Sequence, residues 1–320
     1  MENTMKKILY IPITAILMIS IAAFAITPNQ NAKNPFTEGL LWSITKDGEI
    51  VGHVFGTIHS DDKRVIDLSL QALEILANSR NFAMEVIPAY GPSFVNDIYQ
   101  PAAHTSEDIS YEMLPISNTQ LSEHIGDTSY EEVESALLKL GIKKDVVQYL
   151  KPWVAIYALA SSPRWNKRNP IMDHLLFENA ANAQQDIYEV EGLKNLYAAH
   201  YDFPIEAQIA LLRDRLRNKR TYKDIESMHL AYLGENLGEM LTLSTKFISE
   251  ESLYRQLDRV YLKHALYIRN VVMAFKMLPL LREKGAFVAV GALHLHGKEG
   301  VLGQLEAYGY KAKRVALLKK

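Results

Sequence analysis

The 320-residue chain contains no cysteine. Disulfides, thiolate metal sites and a cysteine nucleophile are therefore excluded, whatever the compartment. Net charge is also nearly absent, −2 at pH 7, and no block of like charge is long enough to form a tail. Nothing in that balance draws the chain to a nucleic-acid backbone, and no nucleic-acid partner is expected. The phosphate-cradling Gly-x-x-x-x-Gly-Lys-Ser/Thr loop, the dinucleotide Gly-x-Gly-x-x-Gly turn and the Gly-x-Ser-x-Gly elbow are all missing. Nucleotide and serine-hydrolase chemistry thus lack their usual supports. Beyond residue 25 no run approaches 18 uninterrupted apolar residues, so no further membrane span is expected.

What is present begins at the N-terminus. Lys6 and Lys7 precede an uncharged stretch, ILYIPITAILMISIAAFA (residues 8–25), that closes on Ala23-Phe24-Ala25. A basic start, an apolar run and a small-x-small ending read as an export signal cleaved after Ala25. The run is also close to the roughly 20 residues a bilayer span needs, so an uncleaved copy would associate with the membrane through residues 8–25. In either case the remainder is expected to work outside the cytoplasm, in the periplasm or secreted. A polar linker covers residues 26–37, and one domain is expected over 38–318.

Hydrophobic patterning outlines that domain. Residues 40–45 and 50–57 are apolar runs flanking Lys46-Asp47-Gly48-Glu49, and Asp-Gly between two such runs predicts a hairpin. Residues 67–77 have helical periodicity, and NFAMEVI (81–87) reads as a short strand stopped by Pro88. Strand, helix, strand predicts a βαβ unit with parallel strands. Residues 88–130 read as mostly loop. From about 130 to 283 the pattern is mainly helical, interrupted by a strand at 186–190, with Pro152 starting or kinking a helix. The long helix that ends this section, 251–283, places Leu253, Leu257, Val260, His264, Tyr267 and Val271 on one stripe. The chain closes with a strand at 286–290, a helix at 298–307 and a strand at 312–318. The fold class is α/β, with a sheet built from both chain ends and a large helical insertion.

The two ends share a figure. HVFGTIHSDD (53–62) and AFVAVGALHLHGKEG (286–300) each run from an apolar strand into Gly-x-x-His. In a parallel sheet the C-terminal strand ends share one edge, where ligands bind. His59 lies past the end of 50–57, Glu85 near the end of 81–87 and His294 past the end of 286–290. Glu191, after 186–190, is a fourth residue at that edge. Two imidazoles and a carboxylate suit a divalent transition metal with open positions, such as zinc, manganese or cobalt. Such an ion polarises a carbonyl and lowers the pKa of water. Gly56 and Gly291 are expected where the backbone turns sharply.

Five segments together resemble one family: GTIHSDD with AMEV after it, EVEGL in mid-chain, RNVVMA on the long helix, and VGALHLHGKEGVLGQLEAYGYKAKRV. They are similar to the TraB/GumN family, which includes TIKI-type metalloproteases and resembles erythromycin esterase-like and ChaN-like folds. The resemblance runs from about 38 to 318 and is strongest at GALHLHGKEG and GTIH. It implies an α/β domain with a helical insertion, and a metal or catalytic site formed by His59, Glu85 and His294. It also implies roles for Glu191 and for the pair Arg269 and Asn270. Some members look like peptidases and others are regulators, so the resemblance bears on the site more than on the substrate.

Each residue has a plainer reading beside the functional one. Glu85 is a solvated strand-end carboxylate, or a ligand or general base. Glu191 is a helix N-terminal acid ahead of Leu193, or a proton carrier. Arg269 is a surface cation, or it orients a carboxylate or steadies an oxyanion. Asp61 and Asp62 cap a helix or ligate, and His296 is a bystander to His294. The expected activity is metal-dependent hydrolysis of a peptide or protein substrate, with Glu85 or Glu191 handling the proton and Arg269 assisting. The alternative is a non-catalytic envelope regulator that binds a peptide signal or a metal-containing ligand.

Overall fold

The Asp-Gly hairpin forms where the sequence places it. β1 (Leu41–Lys46) and β2 (Glu49–Thr57) pair antiparallel, and Asp47 and Gly48 have φ of 52° and 87°. Two successive left-handed residues define the tight turn whose twist matches a hairpin, and Asp-Gly adopts it readily. The structure is a computed structural model that describes residues 34–87, 117–139, 142–159, 171–217, 222–245 and 252–317. The export signal, most of the polar linker and residues 88–116 lie outside the described residues. Among those described, no helix is long and apolar enough to cross a membrane.

The remaining strands are β3 (Asn81–Met84), β4 (Asp186–Glu189), β5 (Ala286–Gly291) and β6 (Lys311–Val315), in the spatial order β4-β3-β5-β2-β1-β6. β2 and β3 are parallel, as the βαβ reading requires, but β5 from the far end of the chain is inserted between them. The helix Lys63–Ala77 carries the chain from β2 to β3, whereas Val301–Ala307 carries it from β5 to β6 at the opposite edge. The two crossovers leave neighbouring strands in opposite directions. Open α/β sheets bind ligands in the crevice at such a reversal, outside the carboxyl ends of the strands. Pairing sets those ends level: Thr57 lies opposite Gly291, and Met84 opposite both Ala289 and Glu189. Phe55, Phe287 and Phe82, all fully buried, carry ring contacts across β2, β5 and β3 with centroids 6.2 and 6.4 Å apart.

The helical section has its own core, centred on Leu137, Trp153, Tyr197, Phe203 and Leu211. Pro152 occupies the first position of the helix Pro152–Leu159, where its missing N–H leaves no bond unmade. His200 lies flat on Trp153, with ring centroids 4.5 Å apart and planes 2° from parallel, and neither ring nitrogen has a hydrogen-bond partner among the described residues. Burial, reinforced by the Arg269 charge, pushes its pKa down to about 3. The folded ring stays neutral at pH values where an unfolded histidine, near 6.5, binds a proton. Stability is therefore lost as pH falls from about 6.5 towards 3, by about 1.4 kcal/mol per pH unit for this one group. His200→Phe keeps the stack and removes the titration. Urea unfolding between pH 6.5 and 4 should show a shallower pH dependence by about that slope; an unchanged slope would mean the buried ring accepts a proton.

The long helix departs from the sequence reading. It comprises Ser252–Leu262, a π turn at Lys263–Ile268 and an α-helix Arg269–Glu283. The π turn adds a residue and shifts the buried face. Val260 and Val271 of the expected stripe are 46% and 49% exposed, and burial passes instead to Arg269, Asn270, Met273, Ala274 and Met277. Hydrophobic periodicity missed this because the new face begins with two polar residues. Within the mainly helical stretch, two helices, Tyr222–Leu233 and Leu237–Thr245, are separated by a turn in which Glu235 has φ 55°.

Candidate functional site

Strand ends deliver the side chains. Glu85 immediately follows β3, Glu191 is two residues past β4, His59 two past β2, and His294 three past β5 in a short 3-10 turn, Ala292–Leu295. The Glu191 and Gly192 amides both donate to the Glu85 carbonyl, at 3.0 and 2.9 Å, binding the ends of β3 and β4 together. The glycines of the Gly-x-x-His figures do not serve as sharp turns. Neither has positive φ. They permit close approach instead: a Cβ on Gly56 would lie 2.7 Å from Leu295 Cδ1 and 3.0 Å from Ala292 Cα, and one on Gly291 3.3 Å from Glu85 Oε1.

Glu85 and His294 meet. Glu85 Oε1 accepts the Gly291 N–H at 2.6 Å, Oε2 accepts from Arg269 at 3.0 Å, and Oε1 lies 3.6 Å from His294 Nε2. Burial pushes the Glu85 carboxyl up, but the Arg269 guanidinium, His59 and the Gly291 N–H counter it and hold the group below the usual carboxylate range. His294 Nδ1 contacts Asn270 Oδ1 at 2.6 Å, and Asn270 Nδ2 donates to the Glu299 carbonyl at 2.7 Å. The second bond fixes the amide orientation, so Oδ1 is the acceptor and Nδ1 carries the imidazole proton. Burial pushes the His294 pKa down to about 3, so Nε2 is a bare lone pair facing a carboxylate.

Glu191 is fully buried, and Arg269 grips it in two places, Nε to Oε1 at 2.6 Å and Nη2 to Oε2 at 2.7 Å. Neither the helix-capping nor the surface-cation reading survives here. Gly192, at φ 80°, caps Leu193–Tyr201, and Arg269 is 8% exposed. Arg269 also donates from Nη1 to the Ala265 carbonyl inside the π turn. It ties Glu191 to Glu85 and sets the Glu85 carboxylate in place.

His59 has a partner that sequence reasoning did not single out. Its Nδ1 lies 2.8 Å from Asp173 Oδ2, and Thr57 Oγ1 donates to Asp173 Oδ1 at 2.7 Å. Asp173 sits in the first turn of the helix Met172–Asn182, whose N-terminus favours a negative charge. Although burial opposes ionisation, His59 and Thr57 hold its carboxyl below the usual range. An ionised Asp173 only accepts, so His59 carries its proton on Nδ1 and offers Nε2. In sequence, an acid at a helix start reads as ordinary, so Asp173 left no signal.

The donor chemistry of this edge fits a divalent cation. Both imidazoles are held through Nδ1, His59 by Asp173 and His294 by Asn270, the kind of second partner a metal-bound histidine usually has. The 3.6 Å between Glu85 Oε1 and His294 Nε2 matches two ligands about 2.1 Å from one ion at an angle of roughly 120°. The donor atoms of His59, Glu85 and His294 are not all within 4.8 Å of one another. Among the described residues, Asp62, Glu226 and His229 are the group with that spacing. There Arg64 already supplies positive charge. It makes bonds of 2.8 and 3.1 Å to Asp62 and of 2.7 and 2.8 Å to Glu226, and these hold the Asp62 carboxyl well below its ordinary range. Asp62 is also the cap of Lys63–Ala77, accepting the Arg64 N–H at 2.9 Å.

The chain matches the TraB/PrgY/gumN family model over residues 40–314, most of its length, and belongs to that family. No curated protein and no solved structure matches it.

Proposed function

We propose that the chain is an exported metal-dependent hydrolase acting on peptide bonds. The observation that carries this reading is the bare His294 Nε2 facing the Glu85 carboxylate at 3.6 Å. Two acceptors so placed repel unless a cation lies between them. Glu85 and His294 would hold the ion, zinc, manganese or cobalt, with His59 beside them. When bound, such an ion polarises a scissile carbonyl and lowers the pKa of water. Glu191 and Arg269 act by positioning: the pair fixes Glu85 and thereby the carboxylate end of the site. The helical section over the sheet edge would choose which peptide or protein enters. Export rests on the sequence of residues 1–25, whose uncleaved form would tether the enzyme to a membrane.

The test is metal removal. Protein stripped by a chelator should lose cleavage of an internally quenched peptide library, and manganese, cobalt or zinc should restore it. Cleavage that survives complete stripping would overturn the metal requirement. Metal binding without cleavage of any library would favour the alternative, an envelope regulator that binds a peptide signal or a metal-containing ligand.

A further inference from the structure

We propose that His59, backed by Asp173, is the proton carrier of this site and not a third ligand of the ion. The inference rests on the metal-hydrolase reading and assigns its two imidazoles different tasks.

The first ground is distance. Ligand atoms about 2.1 Å from one ion can be at most about 4.2 Å apart. Glu85 and His294 satisfy that limit at 3.6 Å, whereas the set that includes His59 does not close even to 4.8 Å. The second ground is anchorage. Asp173 is fixed on both oxygens, by His59 on one and by Thr57, the last residue of β2, on the other. Drawing His59 towards the Glu85–His294 pair would strain a charge-assisted hydrogen bond held from both ends. The third ground is the contrast in surroundings. His294 is held by the neutral amide of Asn270 with its side chain 7% exposed, while His59 is held by a carboxylate with its side chain 22% exposed. A neutral, enclosed imidazole suits a ligand. With distance setting His59 apart from the ligand pair, its greater exposure and a carboxylate that steadies the imidazolium suit proton transfer.

The chemistry balances. As a water oxygen bonds to the scissile carbonyl carbon, His59 Nε2 takes one proton from that water. As the carbon–nitrogen bond breaks, the same Nε2 gives that proton to the departing nitrogen. The products are an acid and an amine, and the imidazole ends as it began. Asp173 is a positioning residue throughout, holding the proton on Nδ1 so that Nε2 is the base.

Cobalt titration of the stripped full-length protein, read by visible absorption and calorimetry, separates the roles. His59→Gln should bind cobalt within about threefold of wild type, while Glu85→Ala and His294→Ala should bind at least about tenfold more weakly. Peptide cleavage should fall about 100-fold or more in His59→Gln with the metal still bound. Asp173→Asn should leave cobalt affinity unchanged, slow cleavage and, by nitrogen-15 NMR, mix the two His59 tautomers. Loss of cobalt from His59→Gln as severe as from His294→Ala would make His59 a ligand and overturn the proposal, as would undiminished cleavage. Failure of the wild type to bind cobalt would instead overturn the underlying metal reading. So would binding that survives Glu85→Ala and His294→Ala but disappears in His229→Ala.

Discussion

Replacing Arg269 with alanine is expected to destabilise the protein by about 3–5 kcal/mol, the usual cost of removing one partner from a buried ion pair. Glu191 is 0% exposed and has both carboxylate oxygens on Arg269. Without the guanidinium it is a buried carboxylate whose oxygens lose those bonds, and Glu85 loses a donor at 3.0 Å as well. Burial already pushes the Glu191 carboxyl above its ordinary pKa despite Arg269, so the variant should take up a proton there. Replacing both partners, Glu191→Leu with Arg269→Leu, should recover part of the loss: the buried Glu191 charge is gone, while Glu85 still lacks its Arg269 donor. Urea denaturation of the two single variants and the double variant measures the coupling. A cost below about 1 kcal/mol for Arg269→Ala would mean that water reaches the pair.

The second large effect is expected at Glu85. Glutamine has nearly the same shape, but its single oxygen can serve only one of two donors, the Gly291 amide or Arg269. Its NH2 must then oppose the other donor, a loss of about 1–3 kcal/mol. On the proposed metal-hydrolase reading, cleavage should fall at least about 100-fold, since the anionic group proposed to hold the ion opposite His294 is gone. The pH dependence has a definite sign. A carboxyl whose folded pKa is depressed stabilises the fold above its unfolded value and loses that contribution as pH falls through the folded one. Glu85→Gln should therefore be less sensitive than wild type to acidification below about pH 4.5. Equal cleavage rates for wild type and variant would remove Glu85 from the site.

Much of the fold is legible because it is written in short-range pattern. Asp47-Gly48 specifies the hairpin turn by its own backbone preferences, and Pro152 begins a helix because it lacks an N–H. Strand ends could be read as the candidate site because the strand patterns stop there, at Gly56, before Pro88 and at Gly291. The long helix shows where such reading fails. The π turn at Lys263–Ile268 changes the phase, and the buried face it creates opens with Arg269 and Asn270, which no hydrophobic pattern registers. The glycines were visible and their purpose was not, since the groups that crowd Gly56, Ala292 and Leu295, come from the other end of the chain.

The sequence by itself determined a sheet contributed by both ends of the chain, a helical section between them, His59 and His294 as residues past strand ends, and Glu85 as one near a strand end. Periodicity and turn chemistry act over a few residues and leave a local record of each. Only the tertiary structure decided that β5 separates β2 from β3, that Asp173 holds His59, Asn270 holds His294, and Arg269 joins Glu191 to Glu85. Those pairings span 114, 24, 78 and 184 residues. They arise because a buried polar group must find a partner wherever packing brings one, and such a match leaves no periodic trace in the chain.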